Sequence, residues 1–376
     1  MIPITAPKFD RSEIEMLQQC LESGWVTQGP LTAEFERRFA ARHQVRHALA
    51  TTSCTAALHL AAIALRLQPG DEVIVPAFTW VTSAHAAEYV GATPRFVDVD
   101  LSTFNLDAAQ LDAAITDRTR AIVAVHLFGK AAPMDRVMAI ARARNLAVIE
   151  DAACAVGTQF NGQPVGAIGD VGCFSLHPRK VITTGEGGLV TTNRDDLASM
   201  VKSVRNHGAT GIAKGGDPTR PYTMSTFDNL GFNLRLSDIQ SAVGIAQMAK
   251  LDGLLKERRQ LALRYTQLLA GVADLVTPSD DDGHTYQSYV VRVAEGGRRR
   301  RNRIMDSLLE HKIQTRPGTH AVHRLGYYAN KYSLSADQFP NAVAAEDTTI
   351  TLPIFPGMTE QQQSMVVDVL ETALRS

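Results

Sequence analysis

The stretch CFSLHPRKVITTGEGG, residues 173–188, connects two short apolar runs through a turn that contains one lysine and three glycines. Glycine allows the backbone to turn tightly and to approach a ligand closely. Lys180, between the first apolar run and the glycines, can reach into a pocket where desolvation and nearby cations lower the pKa of its amine. A loop lysine is ordinarily just solvated, so the interpretation of Lys180 depends on the residues around this stretch.

Short apolar runs alternate with helical patterns around this stretch, over residues 46–195. The runs are apolar throughout, which is typical of strands that are buried on both faces. Strands that alternate with helices predict an α/β fold with a mostly parallel sheet of seven strands between helices. The predicted strands are 47–51, 72–76, 94–99, 121–126, 147–150, 172–175 and 188–192, and the predicted helices between them include 55–67, 81–89, 106–115 and 134–144.

The pattern changes after the last of these strands. Residues 206–229 are polar, show no period and predict a long loop of the kind that occurs at active sites. Ser237 followed by Gln240 is a capping-box pattern, which predicts a long helix running to about Leu269.

The length of the chain, 376 residues, suggests two domains at roughly 150 residues per domain. The C-terminal part predicts a strand at 285–293 and helices at 300–310 and 359–374. We therefore expect a large domain with the N-terminal segment, residues 1–250, and a small C-terminal α/β domain, residues 251–376.

Composition and charge exclude several classes of protein. A net charge of −1 and 20% charged residues give no reason to expect a nucleic acid or an anionic membrane as a partner. Residues 298–303 contain five arginines, which could form a nucleic-acid-binding patch. No aromatic residue lies among them, as would be typical of such a patch. A solvated loop and helix start is the favoured interpretation of that run.

The cysteines and the apolar runs bear on the cellular compartment. Cys20, Cys54, Cys154 and Cys173 are scattered and form no CxxC pair, so we expect reduced thiols and no metal site. The N-terminus has no apolar signal-peptide core, and no stretch approaches the roughly 18 apolar residues of a membrane span. These observations predict a cytoplasmic protein.

Residues that could bind a ligand or take part in a reaction follow the ends of three further predicted strands. Cys54 and Thr55 begin a helix after the first strand, where free N–H groups suit a phosphate, although capping is the commoner use of such residues. Trp80 follows the second strand and can stack on a flat ring or simply join the core. Glu150 and Asp151 end a buried strand; such a carboxylate needs a cationic partner such as a protonated pyridine nitrogen, a metal or a helix N-terminus.

The combination of these features is far more specific than any one of them. A phosphate-suited turn, an aromatic, a strand-end aspartate, Ser175 five positions before Lys180 and a glycine-rich turn follow one another in that order. This order resembles the fold-type I enzymes that use pyridoxal phosphate, and more narrowly the DegT/DnrJ/EryC1/StrS family of sugar aminotransferases. The resemblance covers nearly the whole chain and includes GWVTQGP at 24–30, GDEVIVP at 70–76, VHLFG at 125–129, EDAA at 150–153, residues 174–188 and NLRLSDIQ at 233–240.

The resemblance implies a fold-type I pyridoxal phosphate transferase in which Lys180 is the Schiff-base lysine. Once freed, Lys180 moves the proton between the substrate carbon and the cofactor. Asp151 matches the partner of the pyridine nitrogen, which its negative charge keeps protonated. Trp80 matches the aromatic residue that stacks on the cofactor ring.

The resemblance also implies how the rest of the cofactor is bound. Cys54 through its backbone, Thr55 and Ser175 match phosphate-binding residues, and Asn233 matches a phosphate contact donated by the other subunit of a homodimer with shared active sites. Cys154 stands where the family usually carries Gln or His near the 3′-oxygen of the cofactor, and Cys54 stands where glycine is usual. A thiol is a much weaker hydrogen-bond donor than those side chains, so we expect the local contacts to differ.

Substrate-side candidates come from the same matched stretches. His177 lies three residues before the lysine and Glu186 six residues after it; for His177 a packing role is an open alternative. His323 falls near the C-terminal histidine of the family. The full set of candidates is Thr27, His177, Glu186, Arg235 and His323.

Three functions fit the resemblance. The first is an aminotransferase that moves an amino group from L-glutamate to a nucleotide-linked keto-deoxy sugar. The second is an aminotransferase for a keto-cyclitol or another cyclic ketone. The third is a regulatory protein that binds pyridoxal phosphate and has lost catalysis, which the intact Lys180 and Asp151 argue against. Relatives that dehydrate sugars carry histidine in place of this lysine, so Lys180 favours transamination.

Overall fold

The computed structural model describes residues 1–212, 216–217 and 219–375, and these residues form a central sheet flanked by helices. The α-helices are α1 (Arg11–Ser23), α2 (Pro30–His43), α3 (Cys54–Ala64), α4 (Thr82–Glu88), α5 (Leu111–Ala114), α6 (Met134–Arg144), α7 (Asp195–Val204), α8 (Asp238–Leu268), α9 (Gly297–Glu310), α10 (Gly326–Tyr332), α11 (Pro340–Thr348) and α12 (Glu360–Arg375).

The strands of the described residues are distributed over one large sheet and several small ones. They are β1 (His47–Thr51), β2 (Glu72–Pro76), β3 (Phe78–Thr79), β4 (Thr93–Val97), β5 (Thr119–Val125), β6 (Ala147–Asp151), β7 (Gln159–Phe160), β8 (Gln163–Pro164), β9 (Val171–Ser175), β10 (Gly188–Thr192), β11 (Ala209–Ile212), β12 (Ser225–Phe227), β13 (Leu275–Val276), β14 (Tyr289–Val293), β15 (His320–Ala321) and β16 (Thr349–Leu352).

The central sheet has seven strands in the order β1-β10-β9-β6-β5-β2-β4. β4, β2, β5, β6 and β9 are parallel to one another, while β10 is antiparallel to both β9 and β1. Six strands therefore share one direction and β10 alone is reversed, because the short connection at residues 176–187 makes a hairpin from β9 to β10. The mostly parallel seven-stranded α/β fold and all seven predicted strands are confirmed.

Successive residues of the central strands lie in different parts of the core. Val75 of β2 packs in the same cluster as Leu58 of α3, whereas its neighbour Ile74 packs in the cluster that contains Val137 of α6. All four side chains are almost completely buried. A strand buried on both faces must be apolar at every position, which is why these strands could be predicted from unbroken apolar runs.

Other predicted elements differ from the structure. The helix predicted over residues 106–115 is a 3-10 turn, Ala108–Gln110, followed by the single turn of α5. The strand predicted from residue 285 begins only at Tyr289, because Tyr286 has a positive φ of 48° that interrupts an extended chain.

The loop predicted over residues 206–229 contains an antiparallel pair of strands, β11 and β12. Their side chains are exposed or half-buried on both faces, so no alternation of apolar and polar residues marks them in the sequence. Ala213, Lys214, Gly215 and Pro218 belong to the same predicted loop and lie outside the described residues.

The predicted long helix is α8, an uninterrupted helix of 31 residues. Its capping box is present, with the Ser237 hydroxyl accepting from the Gln240 N–H at 3.3 Å. Tyr265, near its C-terminal end, packs with Ile313 and with Ile2 in the core beneath the three-stranded sheet β13-β14-β16. The division predicted between residues 250 and 251 falls inside this helix and stays a prediction.

The arginine-rich run lies at the start of α9 and contacts other parts of the same chain. Arg298 forms ion pairs with Glu346 and Asp347 on α11. Arg301 is buried and donates to the carbonyl oxygens of Glu346 and Thr349 at 3.1 Å. At least part of the run therefore stabilises the packing of α9 against α11.

None of the helices in the described part of the chain combines the length and apolarity that a bilayer crossing requires. The same residues contain no group of three or more His, Cys, Asp or Glu side chains that could hold a metal ion.

Candidate active site

Two adjacent carboxylates at the end of β6 have separate surroundings because consecutive side chains of a strand point to opposite faces. Glu150 is fully buried and accepts hydrogen bonds from the N–H groups of Gly166, Ile168 and Gly169 at 2.6–2.8 Å and from His126 Nε2 at 2.9 Å. Burial alone would raise the pKa of Glu150, but these hydrogen bonds outweigh it and hold the pKa below its usual value. Glu150 therefore fastens the 166–169 turn to the sheet.

Asp151 is the carboxylate that remains for chemistry. Its Oδ2 accepts a hydrogen bond from Ser83 Oγ at 2.6 Å, and its Oδ1 accepts from the Ala153 N–H at 3.1 Å. Its backbone lies in the middle of the sheet, paired with Val125 of β5 and Cys173 of β9. A carboxylate fixed in this way presents its remaining lone pairs at the carboxyl end of the parallel strands, where ligands bind in such sheets.

The register of three neighbouring strands brings the predicted phosphate-binding residues together. Gly188 at the start of β10 is paired with Ser175 at the end of β9 and with Thr51 at the end of β1. A Cβ atom on Gly188 would lie 2.4 Å from the Ser53 carbonyl carbon and 2.6 Å from the Cys54 nitrogen. Glycine at position 188 is thus required for α3 to begin directly beside Ser175.

The N-terminus of α3 offers donors for an anion. Ser53 caps the helix by accepting from the Ala56 N–H at 3.1 Å, and the first intrahelical bond runs from Ala57 to Ser53. The N–H groups of Cys54 and Thr55 precede that bond, and the Thr55 hydroxyl makes no hydrogen bond with any described residue. Free N–H groups and the helix dipole favour a phosphate at this point.

The backbone N–H of Cys54 is a candidate phosphate donor, whereas its thiol side chain is not. Burial, with further contributions from Asp151 and Cys173, raises the pKa of the Cys54 thiol well above its usual value. The thiol therefore stays neutral and unreactive. Only the N–H of Cys54 is suited to bind a phosphate, as the resemblance implies.

Lys180 lies in the connection from β9 to β10, beside the end of β6. Its Nζ donates to Cys154 Sγ at 3.1 Å. Burial disfavours the ammonium, but the interaction with Cys154, which includes their hydrogen bond, and the charge of Asp151 outweigh this effect and raise the pKa of Lys180. The sequence interpretation expected a lowered pKa, and this expectation was wrong because the groups that surround the amine are acidic rather than cationic.

The hydroxyl group of Thr183 holds the loop that carries Lys180. The Thr183 hydroxyl donates to the Leu176 carbonyl at 2.7 Å and accepts from the Gly185 N–H at 2.9 Å. Gly185 has a φ of 82°, a conformation that glycine adopts without strain. The glycine-rich turn thus returns the chain sharply to β10 and keeps Lys180 at the edge of the sheet.

Trp80 lies at the same edge, directly after β3. Its side chain is 56% exposed, and its ring centroid is 5.6 Å from that of His320. The pairing of β3 with β15 places His320 opposite Thr79. The exposed indole is available to stack on a ligand ring, and it is not part of the core.

Three of the candidate binding residues lie near the start of α3 or of α8. Asn233 is exposed, and the carbonyl oxygen of the following Leu234 accepts from the Thr52 N–H at 3.1 Å. Arg235 donates to Asn206 Oδ1 at 2.6 Å. The exposed Thr27 accepts from the Asp238 N–H at 3.0 Å through its backbone carbonyl.

His177 and Glu186 lie on the loop of Lys180. Burial is the main cause that lowers the pKa of His177; Arg179, Lys180 and Arg316 lower it further, and Glu186 opposes them. The lowered pKa favours the neutral form of the imidazole.

His323 is not brought to this group. Its side chain is fully buried, and its ring lies 4.8 Å from the ring of Phe339. A substrate role for His323 remains a prediction that would require this part of the chain to open.

Residues 7–371 match the DegT/DnrJ/EryC1/StrS aminotransferase family. The chain belongs to this family. The predicted recognition is therefore confirmed, and the protein is an aminotransferase with the fold of that family.

Individual members of the DegT/DnrJ/EryC1/StrS family are similar over their full length. A protein named GDP-perosamine synthase from Caulobacter vibrioides is 40% identical over 377 residues, which cover 99% of this chain and 98% of that protein. The spore coat polysaccharide biosynthesis protein SpsC of Bacillus subtilis is 35% identical over 378 residues, covering 100% and 97%. The solved PMP-form of Spr1654 from Streptococcus pneumoniae has a TM-score of 0.95 at 28% identity, covering 100% and 99%.

The chemistry of these side chains fits pyridoxal phosphate, the cofactor that the family resemblance implies. Lys180 has an amine for the aldehyde, Asp151 a buried carboxylate for the ring nitrogen, and the start of α3 free N–H donors for the phosphate. Trp80 presents an exposed indole for the ring. Each of these four groups has a covalent, hydrogen-bonding or stacking capacity suited to one part of the cofactor.

Sequence reasoning missed the residues behind Asp151 and Glu150. Ser83 and Thr79 were not singled out, although both are buried and hydrogen-bonded to one another at 2.9 Å. His126, which donates to Glu150, was quoted only as part of a family stretch. The signal in the sequence was Ser83, a small polar residue in an alanine-rich helix. A buried hydroxyl requires a hydrogen-bond partner, so such a residue indicates a nearby polar group.

Proposed function

We propose that this protein is a pyridoxal phosphate-dependent aminotransferase that transfers an amino group from L-glutamate to a nucleotide-linked keto-deoxy sugar. The observation that carries the proposal is the convergence of Lys180, Asp151 and the start of α3 at one edge of the sheet. Family membership makes the chain an aminotransferase; the sugar acceptor, its nucleotide and the donor are inferred.

Each residue has one part in the reaction. Pyridoxal phosphate supplies an aldehyde that takes up amino groups and a ring that accepts electrons. Lys180 would hold the aldehyde and, when free, would move the proton at the substrate carbon as general base and acid. Asp151 would keep the ring nitrogen protonated, the first turn of α3 and Ser175 would bind the phosphate, and Trp80 would cover the ring.

Without the cofactor, the raised pKa of Lys180 favours its ammonium form. Only a neutral amine can accept a proton, so Lys180 would act as a base in the neutral form that leaves the cofactor. Cys154, 3.1 Å from the amine, is the hydrogen-bond partner that the structure provides. We infer that this contact orients the amine between reaction steps.

The choice of acceptor rests on the named relatives. The Caulobacter protein, identical at 40% of positions, is named for a GDP-linked product. The Bacillus protein, identical at 35%, is named for a polysaccharide pathway. GDP-linked ketosugars are therefore the first acceptors to test, followed by those linked to other nucleotides.

We further propose that the protein is a homodimer with shared active sites. The segment before Asn233 exposes four large apolar side chains, Tyr222, Met224, Phe227 and Leu230. Large apolar side chains exposed so close together in the chain would be buried at a subunit interface. Burial of this segment against a second copy would carry Asn233 toward the site of that copy.

We also propose a cytoplasmic location, and the cysteines support it. All four thiols are free in the structure. Free cysteines persist in a reducing compartment.

The test combines one variant with a panel of acceptors. Purified protein is incubated with L-glutamate and ketosugars linked to GDP, dTDP or UDP, and mass spectrometry follows conversion of ketone to amine. Lys180→Ala is expected to lower the rate about 10³-fold or more, because both the attachment point and the general base are lost. Lys202→Ala, which alters an exposed lysine of α7, is the matched control. Full activity of Lys180→Ala, or no conversion of any acceptor by the unaltered protein, would contradict the proposal.

A further inference from the structure

We propose that Ser83, supported by Thr79, is a positioning residue that sets the orientation and charge of Asp151 toward the cofactor ring; this inference rests on the proposed function. Ser83 Oγ lies 2.6 Å from Asp151 Oδ2, and Thr79 Oγ1 lies 2.9 Å from Ser83 Oγ. The exposed fractions of Ser83, Thr79 and Asp151 are 0%, 1% and 3%.

The direction of these hydrogen bonds follows from the chemistry of the three groups. A carboxylate oxygen accepts, so Ser83 donates its single proton to Asp151. Ser83 has no further proton, so in the second bond Thr79 donates and Ser83 accepts. Hydroxyls that donate in sequence toward a charge strengthen one another, and a hydrogen bond to an ionised group is stronger than one between neutral groups.

The hydroxyl of Ser83 is not used for the ordinary tasks of serine near a helix start. Serine at such a place commonly caps the helix or bonds to a carbonyl oxygen one turn earlier. No side-chain cap is present at the start of α4, and Ser83 bonds instead to a carboxylate 68 positions away in the chain. Both partners are side chains, so a purely local structural role does not account for the contact.

The turn that holds Ser83 also holds the aromatic residue of the site. The Ser83 N–H donates to the Trp80 carbonyl at 3.1 Å, so Trp80 and Ser83 occupy one tight turn at the start of α4. Asp151 receives its other donor, the Ala153 N–H, from its own chain segment. One carboxylate oxygen is thus held by β6 and the following turn, and the other by the turn that carries Trp80.

Loss of the Ser83 hydroxyl has two consequences that act in the same direction. The carboxylate can rotate away from the position that meets the ring nitrogen. A donor to a carboxylate also stabilises its charged form, so without Ser83 the shared proton moves from the ring nitrogen toward Asp151. Both changes weaken the ion pair between Asp151 and the cofactor.

The experiment measures the cofactor rather than turnover. The protein is loaded with pyridoxal phosphate labelled at the ring nitrogen, and NMR records the protonation of that nitrogen across pH. Ser83→Ala is expected to move the nitrogen signal toward the unprotonated value and to raise the dissociation constant of the cofactor about tenfold. Ser83→Thr, which keeps the hydroxyl, should restore both readouts.

Two further variants complete the test. Thr82→Ala removes a neighbouring hydroxyl that makes no hydrogen bond with the described residues, and it should leave both readouts unchanged. Thr79→Val keeps the side-chain volume and should move the nitrogen signal toward the unprotonated value by less than Ser83→Ala does. It replaces Ser83→Ala as the test if that variant does not fold. An unchanged nitrogen signal in Ser83→Ala overturns this inference but not the proposed function. If Ser83→Ala does not fold, an unchanged signal in Thr79→Val has the same meaning. Unaltered protein that takes up no pyridoxal phosphate overturns the proposed function as well.

Discussion

Glu150 and Asp151 are neighbours in the chain, yet only one of them is available to a ligand. The sequence predicts that a carboxylate at the end of a buried strand needs a partner, and both residues have one. Only the family resemblance implies which of the two would face the cofactor. A run that is apolar at every position does not show which of its residues share a face. The three N–H donors to Glu150 come from a turn about 17 positions later, and their convergence is a property of the tertiary structure.

Glu150→Gln is expected to destabilise the fold by about 2–4 kcal/mol at pH 7, because an amide nitrogen would face donors that now meet a carboxylate oxygen. The folded state lowers the pKa of Glu150, so its contribution is present above the ordinary pKa of 4.5 and is lost as the pH falls below it. Urea denaturation of both proteins at several pH values measures the difference. Glu15→Gln, an exposed change on α1, is the control. A difference that grows as the pH falls would contradict this account.

Cys154→Ala is expected to lower the pKa of Lys180, because the sulfur is the nearest of the groups that raise it. The lysine of cofactor-free protein should then react with an acylating reagent at lower pH than before, as followed by mass spectrometry of its peptide. Cys20→Ala, which removes a buried thiol of α1, is the matched control. The same reactivity profile in both variants would show that the contact does not control the amine.

At the level of elements, the close approach of β10 to α3 depends on one glycine. Gly188→Ala is expected to destabilise the protein by about 1–3 kcal/mol and to weaken pyridoxal phosphate binding, because its Cβ would displace the backbone of Ser53 and Cys54. Thermal unfolding and cofactor titration give the two readouts. Gly253→Ala, in open space on α8, should instead stabilise by about 0.5–1 kcal/mol. Unimpaired cofactor binding by Gly188→Ala would argue against phosphate at the start of α3.

The elements differ in how far they could be predicted from sequence. The strands of the central sheet, such as β2 and β9, were predictable because burial on both faces leaves unbroken apolar runs. β11 and β12 were not, because exposed strands need no apolar pattern. The shortness of α5 reflects the extended backbone of Ile115, with ψ at 132°, which no propensity of the surrounding residues specifies.

At the scale of the whole molecule, the proposal of a shared active site makes a prediction about mixtures. Lys180→Ala and Asn233→Ala are each expected to be inactive, and mixing them with subunit exchange should restore activity to about a quarter of the unaltered level, since half of random dimers are mixed and each has one intact site. An exchange control with differently tagged subunits shows that mixed dimers form. Mixed dimers without activity would mean that each site comes from one chain.

The division into two domains is a proposal at this same scale. The three-stranded sheet and α12 have a core of their own, as a domain of residues 251–376 requires. However, α8 runs through the proposed boundary without interruption, and β15 pairs with β3 beside the central sheet. Length suggested two domains, which stays a prediction, and a domain boundary depends on long-range pairing that no local pattern encodes.

The position of Ile2 in the C-terminal core has a consequence for synthesis on the ribosome. The Ile2 N–H donates to the Lys312 carbonyl at 2.8 Å, and the Ile4 N–H donates to a side chain 310 positions later. Every strand of the central sheet is complete by residue 192, so that sheet can form while translation continues. The segment around Ile2 must wait, unpaired, until the region near Ile313 has left the exit tunnel. Its docking is therefore among the last steps of co-translational folding.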